Sequence, residues 1–210
     1  TAWALASAGK KVLVVEQGNI LADRTIFQDE SQMLIARVAH DRRVISVNGK
    51  NCRLFISGVA GGGTALYGAA LLRPSPEDFH PGKYYSDYIP REIWDWPLGY
   101  EELEPYYRQA EDLYSVSGGE PTEALYIGCR DCSYPGCAPE LEPINVQLRL
   151  RLREQGLHPF HLPLGIDFEK CSRCPTCPGY GCLEDARSSS LKCCLEPAVR
   201  DYGAEIRSEE

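Results

Sequence analysis

Thr1 to Gly18 read TAWALASAGKKVLVVEQG, and this stretch decides the fold. Small residues from Thr1 to Ala8 predict a short helix that stops at Gly9. Two lysines follow, and the run Val12, Leu13, Val14, Val15 predicts a strand ending at Glu16. The alanines and Ser7 let the helix sit close on a parallel sheet, and the unbroken apolar run fits a strand buried on both faces. A carboxylate at the carboxyl end of such a strand can accept hydrogen bonds from both hydroxyls of an adenosine ribose. The stretch therefore has the pattern of the back half of a dinucleotide-binding unit. The G-x-G-x-x-G turn of that unit is expected before Thr1, so the chain is expected to be a piece of a longer protein.

Composition narrows the classes. The chain has 210 residues, enough for one or two domains, with 43% hydrophobic and 25% charged residues. A net charge of −8 argues against a nucleic-acid partner, which needs clustered Lys and Arg. No apolar run approaches the roughly 18 to 20 residues of a membrane span. A soluble protein, cytoplasmic or periplasmic, is the expectation. Ten cysteines stand out, all but Cys52 lying between Cys129 and Cys194. Such local clustering favours a metal or redox structure over a scaffold of disulfides spread through the chain.

Beyond Gly18, Ser31 to His40 predicts a short helix with Leu34 and Val38 on one face. Val44 to Val47, the turn pair Asn48-Gly49 and Leu54 to Ile56 predict a hairpin with a type I′ turn. The hairpin leads into Gly58-Val59-Ala60-Gly61-Gly62-Gly63-Thr64-Ala65. Bare backbone here can approach a ligand closely, and a helix starting at Thr64 would make an anion site. A flexible glycine loop or a close packing point is the alternative. After a ribose-binding unit, a second wall for a pyrophosphate is the stronger reading.

Further on, the Trp94-Asp95-Trp96-Pro97 cluster is expected to pack under a loop. Tyr100 to Tyr114 has helical spacing of apolar residues, with Glu101, Glu102 and Glu104 as a solvated first turn. Glu142 to Gln155 predicts a helix closed by Gly156, although alternating Leu148, Leu150 and Leu152 also fits a strand. Leu157 to Leu162 predicts a return strand carrying His158 and His161 in surface or packing roles. Ser188 to Tyr202 predicts a helix stopped by Gly203, and Ala204 to Arg207 a strand rejoining the first domain.

Two stretches, GGGTALYGAALLRPSPEDF and WPLGYEELEPYYRQAEDLYSVSG, together with the opening ASAGKKVLVVEQG, resemble the glucose–methanol–choline family of FAD-dependent oxidoreductases. The later CSRCPTCPGYGCLEDARSSSLKCCLEPAVRDYGAEIR resembles the cysteine-bearing branch of sugar, sugar-acid, sterol and long-chain alcohol dehydrogenases and oxidases. The resemblance implies an α/β fold, α+β overall. It would be a partial Rossmann-like FAD-binding domain with inserted helices, a hairpin and a cysteine-rich loop region. It implies a partial FAD-binding domain over residues 1–79, a substrate-side insertion over 80–202 with the cysteine-rich segment 129–194, and a return strand over 203–210. Glu16 would hold the FAD ribose. Gly61, Gly62, Gly63, Thr64 and Ala65 would line the pyrophosphate, with Leu66 and Tyr67 beside the flavin. Tyr67 stands where many members have Asn or His, so a histidyl-linked flavin is not expected there. The reaction implied is oxidation of a small-molecule alcohol at CH–OH with hydride transfer to flavin N5. A partner protein, a quinone or oxygen would be the electron acceptor. The catalytic His of the family is expected downstream of this chain, so no catalytic residue is named, and the chain alone is expected to be inactive.

The cysteines keep several readings open. Cys129, Cys132 and Cys137 form one group. Cys171-x2-Cys174-x2-Cys177-x4-Cys182 is a second, whose repeated x2 spacing lets thiolates converge on a metal or cluster. Its last spacing departs from the ferredoxin rhythm, and Leu183 replaces the usual Pro. Some members of the resembled branch carry an iron–sulfur cluster in this region. A cluster or zinc on Cys171, Cys174, Cys177 and Cys182 stands against disulfides among these cysteines or with the first group. At the level of the whole chain, an NAD-linked dehydrogenase fragment and an iron–sulfur or cysteine-rich electron-transfer module are the alternative functions.

Overall fold

The structure is a computed structural model that describes residues 1–21, 24–119 and 134–208. In chain order its helices are α1 (Ala2–Ser7), α2 (Gly82–Tyr85), α3 (Tyr100–Leu113), α4 (Pro143–Glu154) and α5 (Glu196–Tyr202). The strands are β1 (Leu13–Glu16), β2 (Val44–Val47), β3 (Lys50–Arg53), β4 (Ser117–Gly118), β5 (Gly136–Cys137) and β6 (Glu205–Ser208). Small parallel and antiparallel sheets mixed with helices agree with the expected α/β class. The chain forms two compact units. One joins Thr1–Ala69 to Ile166–Glu210, and the other is Ala70–Gly165. These boundaries fall at 69/70 and 165/166, against 79/80 and 202/203 expected from the sequence. The segment from Cys171 onward therefore belongs with the opening strand.

In the first unit, β1 pairs in parallel with β6, Leu13 opposite Glu205 and Glu16 opposite Ser208. The expected strand at Ala204 to Arg207 thus rejoins the opening one. Gly203 ends α5 with φ +69°, where a left-handed residue turns the chain toward β6. Ala6, Ala198 and Ala204 are buried together, flanked by Trp3 and Val12. Small side chains there bring α1 onto α5. Ser7 plays no part in this packing; it is exposed and donates to the Ala4 carbonyl. Burial of β1 on both faces is not observed. Leu13 and Val15 are 50% and 64% exposed, while Val14 is half-buried on the opposite face.

A second core gathers Met33, Ala39, Val59 and Leu66, with Phe27, Val38 and Tyr180 packed against it. The helix expected over Ser31 to His40 shortens to one π-type turn, Ser31–Ile35. Met33 is its fully buried residue, while Leu34 stays 39% exposed. A hairpin forms round the expected turn, but its second strand is Lys50–Arg53 and not Leu54 to Ile56. Asn48 and Gly49 take φ +51° and +76°, both positive as a type I′ turn requires. Pairing stops at Arg53, so Leu54 and Phe55 leave the ladder. One further bridge joins His40 and Ser57.

In the second unit, α3 spans the expected helix, and Pro105 is accommodated within it. Phe79 is buried between Trp96 and Tyr100, with ring centroids 5.6 and 6.2 Å away. Trp94 is half-buried but Trp96 stays 59% exposed, so the cluster packs only in part. α4 is helical, and Gly156 follows it with φ +76°. The leucine alternation is spread round the helix, leaving Leu148 and Leu150 more than half exposed. The return strand over Leu157 to Leu162 does not form. Pairing falls on Leu164 instead, which bridges Ala70 and Ser117. No helix among the described residues is long and apolar enough to cross a membrane.

Candidate functional site

The tip of β1 and the glycine turn lie side by side. Glu16 accepts a hydrogen bond from the Gly18 N–H at 2.8 Å through Oε1. A Cβ on Gly18 would come within 2.7 Å of Val59, so the chain leaving the strand presses directly on the chain entering the turn. Asn19 bridges Val59, and the Ala60 N–H donates to the Asn19 carbonyl at 3.0 Å. Glu16 and the turn thus share one edge of the first unit.

The turn itself is bare. Gly61 and Gly62 have φ of +93° and +56°, and a Cβ on Gly62 or Gly63 would meet nothing within 4 Å. The helix expected to start at Thr64 is instead a single 3-10 turn, Gly62–Ala65, with Thr64 inside it. The reason lies in the side chain. The Thr64 hydroxyl donates to the Gly61 carbonyl at 2.7 Å and accepts from the Ser190 N–H at 2.9 Å. Ser190 Oγ donates to the same carbonyl at 2.9 Å. Thr64 therefore ties the turn to the segment before α5. Leu66 is 8% exposed and packs in the core. The Tyr67 hydroxyl donates to the Ser188 carbonyl at 2.8 Å. Burial pushes its pKa up to about 12, with Arg187 opposing, so Tyr67 is a neutral phenol.

Arg187 was not legible as a site residue in the sequence. It is 4% exposed, and no carboxylate lies within ion-pair distance among the described residues. Its guanidinium donates to four backbone carbonyls, those of Ala65, Tyr67, Cys177 and Tyr180, at 2.5 to 2.7 Å. One side chain thus binds the glycine turn to the cysteine segment.

Cys171, Cys174, Cys177 and Cys182 of that segment line one recess together with Arg187. The Thr176 hydroxyl beside Cys174 holds its thiol pKa below the ordinary value. Burial pushes the Cys177 thiol up, with Arg187 opposing and the other three thiols adding to the rise. Four sulfurs therefore share one recess. Among the described residues, however, no three metal-ligating side chains converge on a metal position. Cys52, Cys137, Cys171, Cys174, Cys177, Cys182 and Cys193 are free thiols. Cys129 and Cys132 lie outside the described residues.

No family model matches the chain. The chain is 25% identical over 197 residues to the gluconate 2-dehydrogenase flavoprotein of Pantoea cypripedii, a match covering 79% of this chain and 32% of that protein. It is 38% identical over 64 residues to the 2-methyl-1,2-propanediol dehydrogenase of Mycolicibacterium austroafricanum, covering 30% of this chain and 11% of that protein. The chain therefore spans less than a third of the length of these curated relatives.

Proposed function

We propose that this chain is the cofactor-holding part of an FAD-dependent oxidoreductase of the glucose–methanol–choline type that oxidises a small alcohol at CH–OH. The observation that carries the proposal is the Asn19–Ala60 tie, which brings the strand-tip carboxylate and the bare turn to one edge. The chain's similarity to a flavoprotein and to a dehydrogenase supports it.

The residues present fit FAD. Glu16, oriented by the Gly18 N–H, would accept from the ribose hydroxyls. Gly62 and Gly63 face open space and would meet the pyrophosphate with backbone alone. Thr64 and Ser190 hold the turn in shape. Tyr67, a neutral phenol hydrogen-bonded to Ser188, would pack beside the flavin without a covalent link. When bound, FAD supplies the hydride acceptor at its N5. The base that takes the alcohol proton is assigned to none of the described residues. A partner protein or a quinone would then take the electrons.

Full-length protein tests the proposal. It should purify with visible flavin absorbance and release FAD on denaturation, and Glu16→Ala should weaken FAD binding. A colourless protein that binds NAD and not FAD would refute it. A narrower reading concerns the cysteine recess, whose four thiols are the donor type that an iron–sulfur cluster or zinc would take. The thiols do not converge as placed, so no step is assigned to such a centre. Iron, zinc and acid-labile sulfide at background in anaerobically purified protein would end that reading.

A further inference from the structure

Residues 65–67, at the exit of the glycine turn, are joined to residues 177–180 of the cysteine segment through main-chain groups. The Arg187 guanidinium makes two of the joints. Its Nη1 donates to the Tyr67 and Cys177 carbonyls, and its Nη2 to those of Ala65 and Tyr180. Each terminal nitrogen therefore bridges one carbonyl of the turn and one of the segment. A further joint is direct: the Gly179 N–H donates to the Leu66 carbonyl at 2.8 Å. A guanidinium is a rigid planar fork. The Cys177 and Tyr180 carbonyls cannot shift without disturbing the nitrogens that hold Ala65 and Tyr67.

Cys182 adds another link. With Arg187 it lines the thiol recess, and the same two side chains line a neighbouring recess walled by Val59, Ala60, Thr64 and Ala65 of the glycine turn. Cys177 and Cys182 thus bracket the strip that grips the turn. Both are free, half-buried thiols, as are Cys171 and Cys174 in the same recess. A disulfide restricts the separation and orientation of the backbones it joins. One formed at either end of this strip bears directly on the carbonyls that Arg187 holds.

We propose that the cysteine segment is a thiol-sensitive lock on the cofactor turn. A disulfide made by Cys177 or Cys182 with another thiol of the recess slackens the Arg187 bridge and lowers the affinity for FAD, the ligand that the flavoprotein reading above supplies and on which this step rests. The oxidant is a low-molecular-weight disulfide. One protein thiolate attacks it, expels one small thiol and forms a mixed disulfide; a second protein thiol then displaces the other. Two protein thiols lose two electrons and two protons, and the oxidant leaves as two thiols. Linkage makes the effect reciprocal, so bound FAD opposes the oxidation by the same factor.

The test uses the full-length protein with oxidised glutathione as the probe. Peptide mapping should place Cys177 or Cys182 in the disulfide formed. Oxidation should raise the FAD dissociation constant roughly tenfold, and dithiothreitol should restore it. The Gly62 and Leu66 amides, which donate to Val59 and Gly63, should exchange hydrogen faster in the oxidised form. Arg187→Lys loses the fork, so its FAD affinity should be the same oxidised and reduced. Cys177→Ser with Cys182→Ser asks the same question without touching the buried cation, and its FAD affinity should not respond to oxidised glutathione. Thiols that oxidised glutathione leaves untouched would overturn the proposal. So would a disulfide that changes neither FAD affinity nor exchange at Gly62 and Leu66, or a full response in the protein lacking Cys177 and Cys182. Protein that never binds FAD, yet shows the exchange response, would remove the flavoprotein reading and not this coupling, a distinct failure.

Discussion

Arg73 and Arg187 are both buried, and their charges are met in opposite ways. In the second unit, Arg73 makes a two-pronged contact with Glu111, both bonds at 2.7 Å, and also reaches Tyr100 and Glu104. Burial pulls its pKa down, but the bonds to Glu111, Tyr100 and Glu104 outweigh that and hold it above the ordinary value. In the first unit, Arg187 meets four carbonyl dipoles and the face of the Tyr67 ring, 5.9 Å away, with no carboxylate at ion-pair distance among the described residues. The first arrangement is a cation met by two carboxylates, which fixes packing. The second leaves a positive charge beside the glycine turn and four thiols. That charge touches both the glycine turn, through the Ala65 and Tyr67 carbonyls, and the cysteine segment, through those of Cys177 and Tyr180.

Substitutions can break this contrast. Arg73→Met strips Glu111 of its bidentate partner and should cost about 3–5 kcal/mol in urea unfolding, while Arg73→Met with Glu111→Met should recover most of that. Arg187→Met should cost about 2–4 kcal/mol, and no second substitution should rescue it, because there is no carboxylate to remove. Arg187→Lys should recover little, since an ammonium cannot fork between four carbonyls.

Two glycines sharpen it. Gly62 and Gly203 both have positive φ and open space around a would-be Cβ. Alanine at either should cost about 1–2 kcal/mol in stability. Only Gly62→Ala should also weaken FAD, read by titration of the apo protein.

The smallest effect is pH. Arg108 first, then Arg73, hold the Glu104 carboxyl below the ordinary glutamate value. Its contribution is therefore full above that ordinary value and is lost as pH falls through the depressed one. Carbonyls do not titrate over that range. Hydrogen exchange on acidification should loosen α3 before it loosens Ala65 to Tyr67.

Much of the fold was legible because it follows periodicity and punctuation. The valine run of β1, Asn48-Gly49 and Gly203 each specify local backbone, and each is found where the pattern puts it. The glycine turn was legible for the same reason. What escaped was set by distant partners. The Arg187 partners are main-chain carbonyls, which carry no sequence identity. His40 matches no motif, and its burial with no hydrogen-bond partner among the described residues follows from packing that the sequence does not spell out. The strand expected at Leu157 to Leu162 failed because apolar residues alone do not supply a neighbour to pair with. Thr64 was expected to begin a helix, and its hydroxyl instead closes the turn against Ser190.

The pairing of β1 with β6 has a consequence for biogenesis. Leu13 leaves the ribosome long before its ladder partner Glu205 has been synthesised. Until then Trp3 and Val12 lack Ala198 and Ala204, the surface they lean on. Joining ends so far apart adds only slowly to the entropic penalty, but it delays assembly. Nascent chains arrested just short of residue 205 should therefore be cut readily within α1. Chains extended past Ser208 should resist.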